Sequence, residues 1–475
     1  MSGLQKNSVA ELAIHSGPCL LSYMAHYCII GAGISGLAIA WQLKRRGHSC
    51  TVLERSETPG GALHSVSREG FLAEDGPHSI LLNNPDVEAF LQSIPGLESR
   101  MVESDAAANK RYILRSGRPH AVPTGPFTAI TSQLWSLRGK LRVLREPFIP
   151  PASPEEEETV AAFVRRRLGN ELYEYAINPL VGGIYAGDPE QLSLRHGFPK
   201  LYALEQQHRS LIRGALAKKR EAKANPKNQT RKRIISFHGG MGELPLKIAA
   251  ALGENFRTGV KLHSLRKQGD KWDIGWTEAD GSKRDISFDR VVLAVPAHQL
   301  PALPAEASLQ ANLETFSGIQ YPPVSVLSLG FDRNAVEHPL DGFGMLVPEK
   351  ERRSILGVLF PSTFFPGRAP KDKVLLTAFV GGDRQPETAT PDTKKLQNIV
   401  IPELESLLGV RGEPEFAHHR HWDRAIPQYK IGHGKWFERM AALEREYPGL
   451  HLAGNYRTGI SVTYCLEAAI RYPSD

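Results

Sequence analysis

The sequence predicts a mixed α/β protein with α+β character, and three observations along its 475 residues support this class. Strand-like and helix-like stretches alternate near the start of the chain and again after residue 231, as in parallel sheets covered by helices. A helical block interrupts this alternation between residues 126 and 230. A strand-rich stretch from Val324 to Val380 then indicates a second sheet.

The first elements are a strand, a glycine-rich turn and a helix. The apolar run Tyr27–Ile30 predicts a buried parallel strand, and Leu37–Leu43 opens the helix. Between them, Gly31, Gly33 and Gly36 form a Gly-x-Gly-x-x-Gly pattern. In such a pattern the first glycine permits a tight turn and the second lets the backbone approach a pyrophosphate, while the third lets the helix lie against the strand.

A second strand, Cys50–Leu53, ends in Glu54, where a carboxylate can accept hydrogen bonds from a ribose hydroxyl. Amides at the preceding helix N-terminus would face the phosphates. The order of strand, helix, strand and terminal acid therefore predicts a dinucleotide-binding site rather than an unrelated turn.

Periodicity and turn residues predict the remaining elements. A hairpin is predicted over 110–122, with its turn at Ser116-Gly117, and a last helix after Asn455. Further strands are predicted at Ile234–Phe237, Val260–His263, Lys271–Thr277, Arg290–Val295 and Leu450–Leu452, and helices at Pro85–Ile94, Leu244–Leu252 and Thr393–Leu408.

Charged stretches mark the helical block. Thr128–Arg145 places Trp135 among arginines and lysines in a helical pattern, which is typical of a membrane-surface element. A helix packed on its own core with a solvated basic face fits the same pattern, and periodicity alone favours it. Glu155–Glu158 predict a helix start with acids in the first turn, and the basic stretch Lys218–Arg233 predicts a solvated loop.

Composition narrows the class of protein. With 58 basic and 51 acidic residues the net charge is +7, which suits an anionic membrane or an acidic substrate, or no charged partner at all. No basic-aromatic module indicates nucleic-acid binding. No run of 18 apolar residues predicts a membrane span, and residues 1–24 lack the patterns of a transit or signal peptide, so we expect a cytoplasmic protein.

The four cysteines show neither disulfide density nor metal-ligand spacing, and Cys28 and Cys50 are expected to be small buried hydrophobes in strands. The histidines His418, His419 and His421 lack acidic partners at a suitable spacing, so no metal site is predicted.

Beyond Glu54 the chain carries a second group of glycines and small residues. Together with the acid, they resemble the extended flavin fingerprint of the amine oxidase and protoporphyrinogen oxidase superfamily, where FAD is bound rather than NAD. The family usually has Arg, Lys or Trp where this chain has Ala62. The residues that carry the resemblance are Glu54, Arg55, Gly60, Gly61, Gly76, Pro77, His78 and Ser79.

Further stretches resemble the protoporphyrinogen oxidase family, including its coproporphyrinogen-oxidising relatives, over residues 26–470. Residues 178–189 with Leu192-Ser193 are similar to its characteristic segment, and residues 342–348 and 376–382 to its substrate-domain strands. Residues 426–429 and 452–455 resemble its C-terminal flavin region. One departure is Thr463-Tyr464, where the family has Asn-Asp, and another is the short terminal helix before Asp475.

The resemblance implies a Rossmann-like FAD-binding domain, a mixed-sheet substrate-binding domain and a helical membrane-associating domain. It places the FAD-binding domain at residues 25–90, 231–300 and 441–475. The substrate-binding domain would comprise residues 91–125 and 301–440, and the membrane-associating domain residues 126–230.

The resemblance also lends roles to individual residues. Arg111 is expected to pair a substrate propionate, an interaction suited to a bidentate guanidinium, although on its own it would be interpreted as a surface arginine. Leu346, Leu359 and Phe379 are expected to form apolar walls around a tetrapyrrole, with Gly183 beside the ring, although strand residues of this kind usually belong to a core. FAD contacts are expected at Gly31, Ala32, Gly33, Ile34, Ser35, Gly36, Glu54, Arg55, Gly61, Ala62, Gly76, Pro77, His78, Ser79, Val260, Trp422, Gly454, Gly459, Ile460, Ser461 and Val462. Among these, the resemblance implies backbone contacts of Val260 with adenine and places the helix N-terminus at Gly459–Val462 against the isoalloxazine ring.

The implied activity is oxygen-dependent oxidation of protoporphyrinogen IX to protoporphyrin IX, with six electrons removed through FAD and hydrogen peroxide formed. No acid–base set or metal is needed, because the cofactor carries the redox step. Implied partners are the porphyrinogen, dioxygen, a ferrochelatase and the inner face of the cell membrane (the mitochondrial inner membrane in a eukaryote), with a homodimer left open. Alternatives are coproporphyrinogen III oxidation, oxidation of amines or carotenoids, and a non-catalytic FAD-binding carrier.

Overall fold

The computed structural model of the protein describes residues 24–153, 155–224 and 231–473. The strands in these ranges are β1 (His26–Ile30), β2 (Ser49–Leu53), β3 (Ser65–Arg68), β4 (Phe71–Glu74), β5 (Ile80–Leu82), β6 (Met101–Glu103), β7 (Tyr112–Arg115), β8 (Arg118–Ala121), β9 (Arg233–Phe237), β10 (Phe256–Arg257), β11 (Lys261–Gln268), β12 (Lys271–Thr277), β13 (Lys283–Phe288), β14 (Arg290–Leu293), β15 (Val324–Asp332), β16 (Gly344–Leu346), β17 (Gly357–Leu359), β18 (Lys373–Gly381), β19 (Phe416–Trp422) and β20 (Leu450–Leu452).

The α-helices in the same ranges are α1 (Ile34–Arg45), α2 (Pro85–Gln92), α3 (Pro126–Thr131), α4 (Leu137–Leu144), α5 (Val160–Leu168), α6 (Asn170–Leu172), α7 (Asn178–Tyr185), α8 (Leu194–Gly197), α9 (Pro199–His208), α10 (Leu211–Ala224), α11 (Glu243–Leu252), α12 (Ala307–Glu314), α13 (Pro361–Phe364), α14 (Thr393–Leu408), α15 (Gly434–Glu446), α16 (Asn455–Thr458) and α17 (Val462–Ile470). A π-helical turn, Tyr173–Ile177, joins α6 to α7.

A parallel sheet in the order β10-β2-β1-β14-β20 brings together strands that are far apart in the sequence. Strand β1 is apolar from Tyr27 to Ile30 because both of its faces are covered. Tyr27 and Ile29 pack in a core with α1, α11 and α17, whereas Cys28 and Ile30 pack in a core with β12 and α15. The predicted parallel strand and the mixed α/β class are confirmed.

A seven-stranded mixed sheet runs in the order β19-β15-β18-β17-β16-β7-β8. Helix α14 covers one face, because Leu396, Val400 and Leu404 recur every four residues and pack in one core with Met345 and Val358. On the opposite face, Leu375 packs with Phe71 of β4, and Phe379 contacts His78 of the segment before β5.

Helices α3 to α10 form a helical layer in which α5 and α7 to α10 contribute to a small apolar core, and the layer also contains a buried ionic network. The guanidinium of Arg167 is fully buried and pairs with Glu146 and Glu205. The carboxylate of Glu146 also accepts hydrogen bonds from the amides of Leu211 and Ile212 at the start of α10. This network therefore connects the segment after α4 to α5 and α10.

Three predictions in this layer are wrong. The single helix over Thr128–Arg145 is two helices, α3 and α4, with a break at Ser132–Ser136. Glu155–Glu158 precede α5 instead of forming its first turn, because Thr159 caps the helix. The loop predicted over Lys218–Arg233 is helical as far as Ala224, and residues 225–230 lie outside the described ranges.

Other predicted elements agree with the structure. Strand β12, helix α14 and strand β20 match their predicted bounds, and the hairpin β7–β8 turns at Ser116-Gly117. The strand predicted at Val260–His263 begins one residue later and extends to Gln268, and the last helix is divided into α16 and α17. Cys28 and Cys50 are buried as predicted, while Cys19 lies outside the described residues.

Candidate flavin and substrate site

The turn between β1 and α1 has the shape of a phosphate-binding loop. A Cβ on Gly31, where φ is +105°, would lie 2.9 Å from the carbonyl oxygen of Ala294, and one on Gly36 would clash with the carbonyl oxygen of Gly31. A Cβ on Gly33 would meet nothing within 4 Å. Two glycines are thus required by packing, whereas Gly33 borders open space at the N-terminus of α1, which suits a pyrophosphate.

Glu54 ends β2 beside this turn. One carboxylate oxygen accepts the amide of Ala32 at 2.7 Å and the other accepts the amide of Ser56 at 2.8 Å. The carboxylate is therefore fixed in place by the backbone. Each oxygen has a further lone pair, so acceptance from a ribose hydroxyl is still available.

The second glycine group lies against the first. The amide of Gly60 donates to the carbonyl of Ala32 at 2.8 Å, and a Cβ on Gly61 would lie 3.4 Å from the Cα of Gly33. A Cβ on Gly76 would clash with the carbonyl oxygen of Ala62. The four segments of the predicted fingerprint, at residues 31–36, 54, 60–62 and 76–79, are therefore neighbours in space.

Two residues expected to contact FAD, Val260 and Arg55, differ in their surroundings. Val260 is buried, and its amide already donates to the carbonyl of Glu54 at 3.1 Å. Arg55 is exposed, and its guanidinium has no hydrogen bond or ion pair among the described residues. Val260 thus helps to fix the end of β2, and a contact of its amide with adenine would have to replace that bond.

The C-terminal segment reaches the same turn from the other side. Ser461 caps α17 by accepting the amide of Tyr464, and α17 packs on α1 with Val462 in the shared core. The thiol of Cys465 lies against the hydroxyl of Ser35. Val462 and the start of α17 thus lie next to α1 and the glycine-rich turn, and Gly454, Gly459, Ile460 and Ser461 directly precede them in the chain.

His78 connects the flavin-fingerprint residues to the seven-stranded sheet. Its ring lies 6.0 Å from the ring of Phe379 in an edge-to-face arrangement. Burial lowers the pKa of His78 to about 3, so the imidazole is neutral at physiological pH. Segment 76–79 and the sheet face that carries Phe379 are therefore in contact.

The predicted substrate residues lie on that sheet face. Leu346 and Phe379 both pair with Gly357 of β17, so a strand position without a side chain separates them in one row. Leu359 lies two residues beyond Gly357 on the same face. All three are half-buried, while their neighbours Met345, Val358 and Ala378 are buried on the α14 side.

Helix α7 borders the row. A Cβ on Gly183 would clash with the side chain of Leu346, so the helix approaches the sheet closely at this glycine. Arg111 is exposed before β7, with its guanidinium 5.4 Å from the ring of Phe343, which lies beside Leu359. The guanidinium has no hydrogen bond or ion pair among the described residues. The structure thus brings the five predicted substrate residues to one side of the sheet: Arg111, Gly183, Leu346, Leu359 and Phe379.

Trp422 and Asp75 form a contact that sequence reasoning did not predict. The indole of Trp422 donates to the carbonyl of Asp75 at 2.8 Å, one residue before the 76–79 segment. The Asp75 carboxylate lies between His418 and His64, at 2.6 and 2.8 Å. Burial alone would raise the pKa of Asp75, but these hydrogen bonds outweigh it and lower that pKa. The position of Asp75 directly before Gly76 is the only signal that could have identified it.

The other two histidines of this group also have partners. His419 meets the hydroxyl of Thr393 at 3.0 Å, and His421 lies between Ser325 and Asp423. In the part of the chain that the structure describes, no group of three His, Cys, Asp or Glu side chains is arranged to hold a metal ion.

Known proteins share this geometry. Residues 34–472 match the family of flavin-containing amine oxidoreductases. The chain belongs to this family. As a member it is an FAD-dependent oxidoreductase, and the glycine turn, Glu54 and the α17 N-terminus provide a site that fits FAD.

Relatives within the family are similar over nearly their whole length. The chain is 36% identical to the mitochondrial protoporphyrinogen oxidase of Nicotiana tabacum, and the match covers 93% of this chain and 92% of the relative. Identity to protoporphyrinogen oxidase 2 of Arabidopsis thaliana is 34%, with 91% and 90% covered. Identity to the coproporphyrinogen III oxidase of Bacillus subtilis (strain 168) is 29%, with 95% and 97% covered.

A solved structure shows the same fold. A crystal structure from Exiguobacterium sp. 255-15, provisionally described as a protoporphyrinogen oxidase, superposes with a TM-score of 0.76 at 25% identity, covering 94% of this chain and 97% of that one. A putrescine oxidase of 14% identity superposes with a TM-score of 0.65, which extends the fold to an amine oxidase.

Proposed function

We propose that this family member is an oxygen-dependent protoporphyrinogen oxidase of tetrapyrrole biosynthesis. The observation that carries the proposal is the half-buried apolar row on the seven-stranded sheet. It ends at Phe379, where the sheet contacts His78 of the flavin fingerprint. A flat apolar substrate on this row would lie beside the flavin segment. The relatives named protoporphyrinogen oxidases support the same substrate.

The residues of the chain would bind and orient the substrate. Leu346, Leu359 and Phe379 provide apolar contacts, and the close approach of α7 at Gly183 limits the width of the space above them. The guanidinium of Arg111 has no internal carboxylate partner and is available to a propionate. FAD supplies the redox chemistry when bound.

We further propose that the domain boundaries are those implied by the family resemblance. Residues 25–90, 231–300 and 441–475 would hold FAD, and residues 91–125 and 301–440 would hold the porphyrinogen. The location of the parallel sheet and of the seven-stranded sheet supports this division.

Coproporphyrinogen III is the second candidate substrate, favoured by the Bacillus subtilis relative. It carries two additional propionates, which call for more cations. Lys110 pairs with Asp341 and Arg115 with Glu171, so Arg111 is, among the described residues 110–115, the one cation without an internal carboxylate partner. This distribution of charge favours the substrate with fewer carboxylates.

The decisive experiment offers both porphyrinogens to the purified protein. We expect porphyrin fluorescence and hydrogen peroxide to rise together, faster with protoporphyrinogen. A higher kcat/KM for coproporphyrinogen would show that coproporphyrinogen III, and not protoporphyrinogen IX, is the preferred substrate. FAD binding without porphyrin formation from either compound would favour the carrier alternative. On the same preparation, a pull-down tests whether a ferrochelatase binds the protein as recipient of the porphyrin. Light scattering tests whether the protein forms a homodimer.

We also propose that α3 and α4 bind a membrane surface containing anionic lipids. Among the described residues, no helix has both the length and the apolar character needed to cross a bilayer. Large apolar side chains are instead concentrated on the surface of this segment, each between 55% and 82% exposed: Phe127, Ile130, Leu137, Leu141, Leu144 and Phe148.

The basic residues of this segment divide into two groups. Lys140 donates to the carbonyls of Ile130 and Ser132, and Arg142 donates to carbonyls at the end of α5, so both brace the segment. Arg138 and Arg145 are exposed and have no hydrogen bond or ion pair among the described residues. Free cations beside an apolar face fit an anionic lipid surface.

Vesicle co-sedimentation tests this proposal. We expect binding to vesicles with anionic lipid, weaker binding to neutral vesicles, and loss of binding in Phe148→Glu. The control is Leu246→Glu on α11, which places the same charge at another exposed leucine. Absence of binding to anionic vesicles by the unmodified protein would reject the membrane proposal and leave the oxidase proposal standing.

A further inference from the structure

The hydroxyl of Tyr429 lies at the meeting point of three segments. It donates to the carbonyl of Asn455 at 2.6 Å and accepts the amide of Gly459 at 2.9 Å. The hydroxyl oxygen of Tyr429 thus links the first residue of α16 to the residue that follows this helix. The carbonyl of Tyr429 accepts the amide of Ser193 at 2.8 Å, and this bond connects Tyr429 to the helical layer at the start of α8.

The tyrosine ring is held firmly. Its side chain is almost fully buried, and it stacks on the ring of His433 with centroids 4.2 Å apart and an interplanar angle of 25°. The Nε2 of His433 donates to the carbonyl of Tyr456 at 3.2 Å, so the stacked pair contacts α16 at a second point. Burial raises the pKa of Tyr429 well above its ordinary value, so the hydroxyl keeps the proton that it donates.

Gly459 is held from two sides. Its amide is fixed by Tyr429, and its φ of +104° is a conformation that side chains disfavour. A Cβ at this position would lie 2.7 Å from the ring of Tyr464. The residues that follow are Ile460 and Ser461, and Ser461 caps α17. The position of the α17 N-terminus therefore depends on a glycine held between two tyrosines.

We propose that Tyr429 is a positioning residue for the flavin: its hydroxyl fixes the turn at 454–462 and so sets where the flavin ring is held. The inference rests on the proposed contact of residues 459–462 with that ring. Without the hydroxyl, the Asn455 carbonyl and the Gly459 amide lose a partner inside the protein, and the turn is free to relax.

The test compares Tyr429→Phe with Tyr185→Phe. Tyr185 is the matched control because its ring lies 6.5 Å from that of Tyr429, it is also buried, and its hydroxyl donates to Gly197, away from the turn. Apoprotein is titrated with FAD, and the absorption spectrum and midpoint potential of the bound flavin are recorded. We expect Tyr429→Phe to raise the FAD dissociation constant about tenfold and to shift both flavin signals, while Tyr185→Phe changes the melting temperature alone.

Wild-type flavin signals in Tyr429→Phe, or equal shifts in the two variants, would overturn the proposal. If Tyr429→Phe does not fold, 3-fluorotyrosine at position 429 keeps the ring and alters the acidity of the hydroxyl. Unchanged flavin signals would again overturn the proposal. None of these measurements needs a porphyrinogen, so a protein that binds FAD without oxidising porphyrinogens would fail the proposed function and still test Tyr429.

Discussion

The glycine-rich turn and the apolar face of the seven-stranded sheet form their sites in opposite ways. At the turn, the site is made of backbone, and side chains at Gly31 and Gly36 are excluded by contacts of 2.9 Å or less. On the sheet, the site is made of half-buried side chains, with Gly357 as a gap between Leu346 and Phe379. Backbone sites tolerate almost no substitution, whereas a side-chain surface can be reduced atom by atom. We therefore expect all-or-none effects at the turn and graded effects on the sheet.

The largest effect is expected from Gly33→Val. The backbone of Gly33 has φ −67° and ψ 170°, which valine adopts readily, and its Cβ position is open. The apoprotein should keep its melting temperature, while FAD affinity falls by at least about a hundredfold because the side chain occupies the space where a pyrophosphate would lie. Gly36→Val is the contrasting variant and should not fold. Flavin binding by Gly33→Val at wild-type strength would show that the turn does not hold the pyrophosphate.

The next effect concerns Glu444, which stabilises the segment between β20 and α17. Burial would raise its pKa, but the nearby His451 ring and hydrogen bonds from Arg457 and the Leu452 amide outweigh burial and lower the pKa from 4.5 to about 2. A folded-state pKa below the unfolded value stabilises the fold above about pH 4.5, and this contribution is lost as the pH falls towards 2. The shift corresponds to roughly 3 kcal/mol.

Glu444→Gln should therefore lower the free energy of unfolding by about 2–3 kcal/mol near neutral pH, and the difference from wild type should shrink below about pH 4.5. Urea unfolding between about pH 7 and about pH 3 measures it. Glu446→Gln, at an exposed position on the same helix, is the control. A difference that is constant with pH would show that the charge of Glu444 is not the cause.

Arg111→Ala tests whether Arg111 pairs a propionate of the substrate on the seven-stranded sheet. Charge-assisted hydrogen bonds contribute roughly 1.5–3 kcal/mol, so kcat/KM for protoporphyrinogen should fall about ten- to a hundredfold, mainly through KM. Flavin content should not change. Arg118→Ala, on the same hairpin, should keep wild-type kinetics. If Arg111→Ala did so as well, the propionate would have to pair with Lys110 or Arg115.

The smallest effect is expected from two adjacent residues of β17 with opposite orientations. Leu359→Ala removes apolar contact from the half-buried face, and KM should rise roughly three- to tenfold with little loss of stability. Val358→Ala opens a cavity on the α14 side, so the free energy of unfolding should fall by on the order of 2 kcal/mol while KM is unchanged. Identical KM values for the two variants would refute a substrate surface at Leu359.

Local signals explain the parts of the fold that could be predicted. Strand β1 has a core on each side and is therefore apolar at successive positions, and α14 repeats an apolar residue every four positions. The flavin-fingerprint residues are contiguous in short segments, so their grouping in space followed from the resemblance. The roles of the individual contact residues stay predictions.

Long-range partners explain the errors. The break before α4 depends on Glu171, which accepts the amide and the hydroxyl of Ser136 from another helix. Glu158 precedes α5, and its carbonyl accepts the amide of Leu194, while the carboxylate of Glu157 accepts the amide of Gly432. Asp75 was missed for the same reason, since its partner His418 lies 343 residues further along the chain. No pattern within a short window encodes such contacts.

The strand order of the parallel sheet has a consequence for biosynthesis. Strand β1 is translated first, yet the sheet is complete only when β20 pairs with β14 and α17 packs on α1. Contacts of such high sequence separation form slowly, and nearly the whole chain must leave the ribosome before they can form. Until then, the apolar surface of β1 and α1 is uncovered and prone to aggregate. We expect the yield of soluble protein to depend on chaperones and on FAD supply during synthesis, more than on any stability measured afterwards.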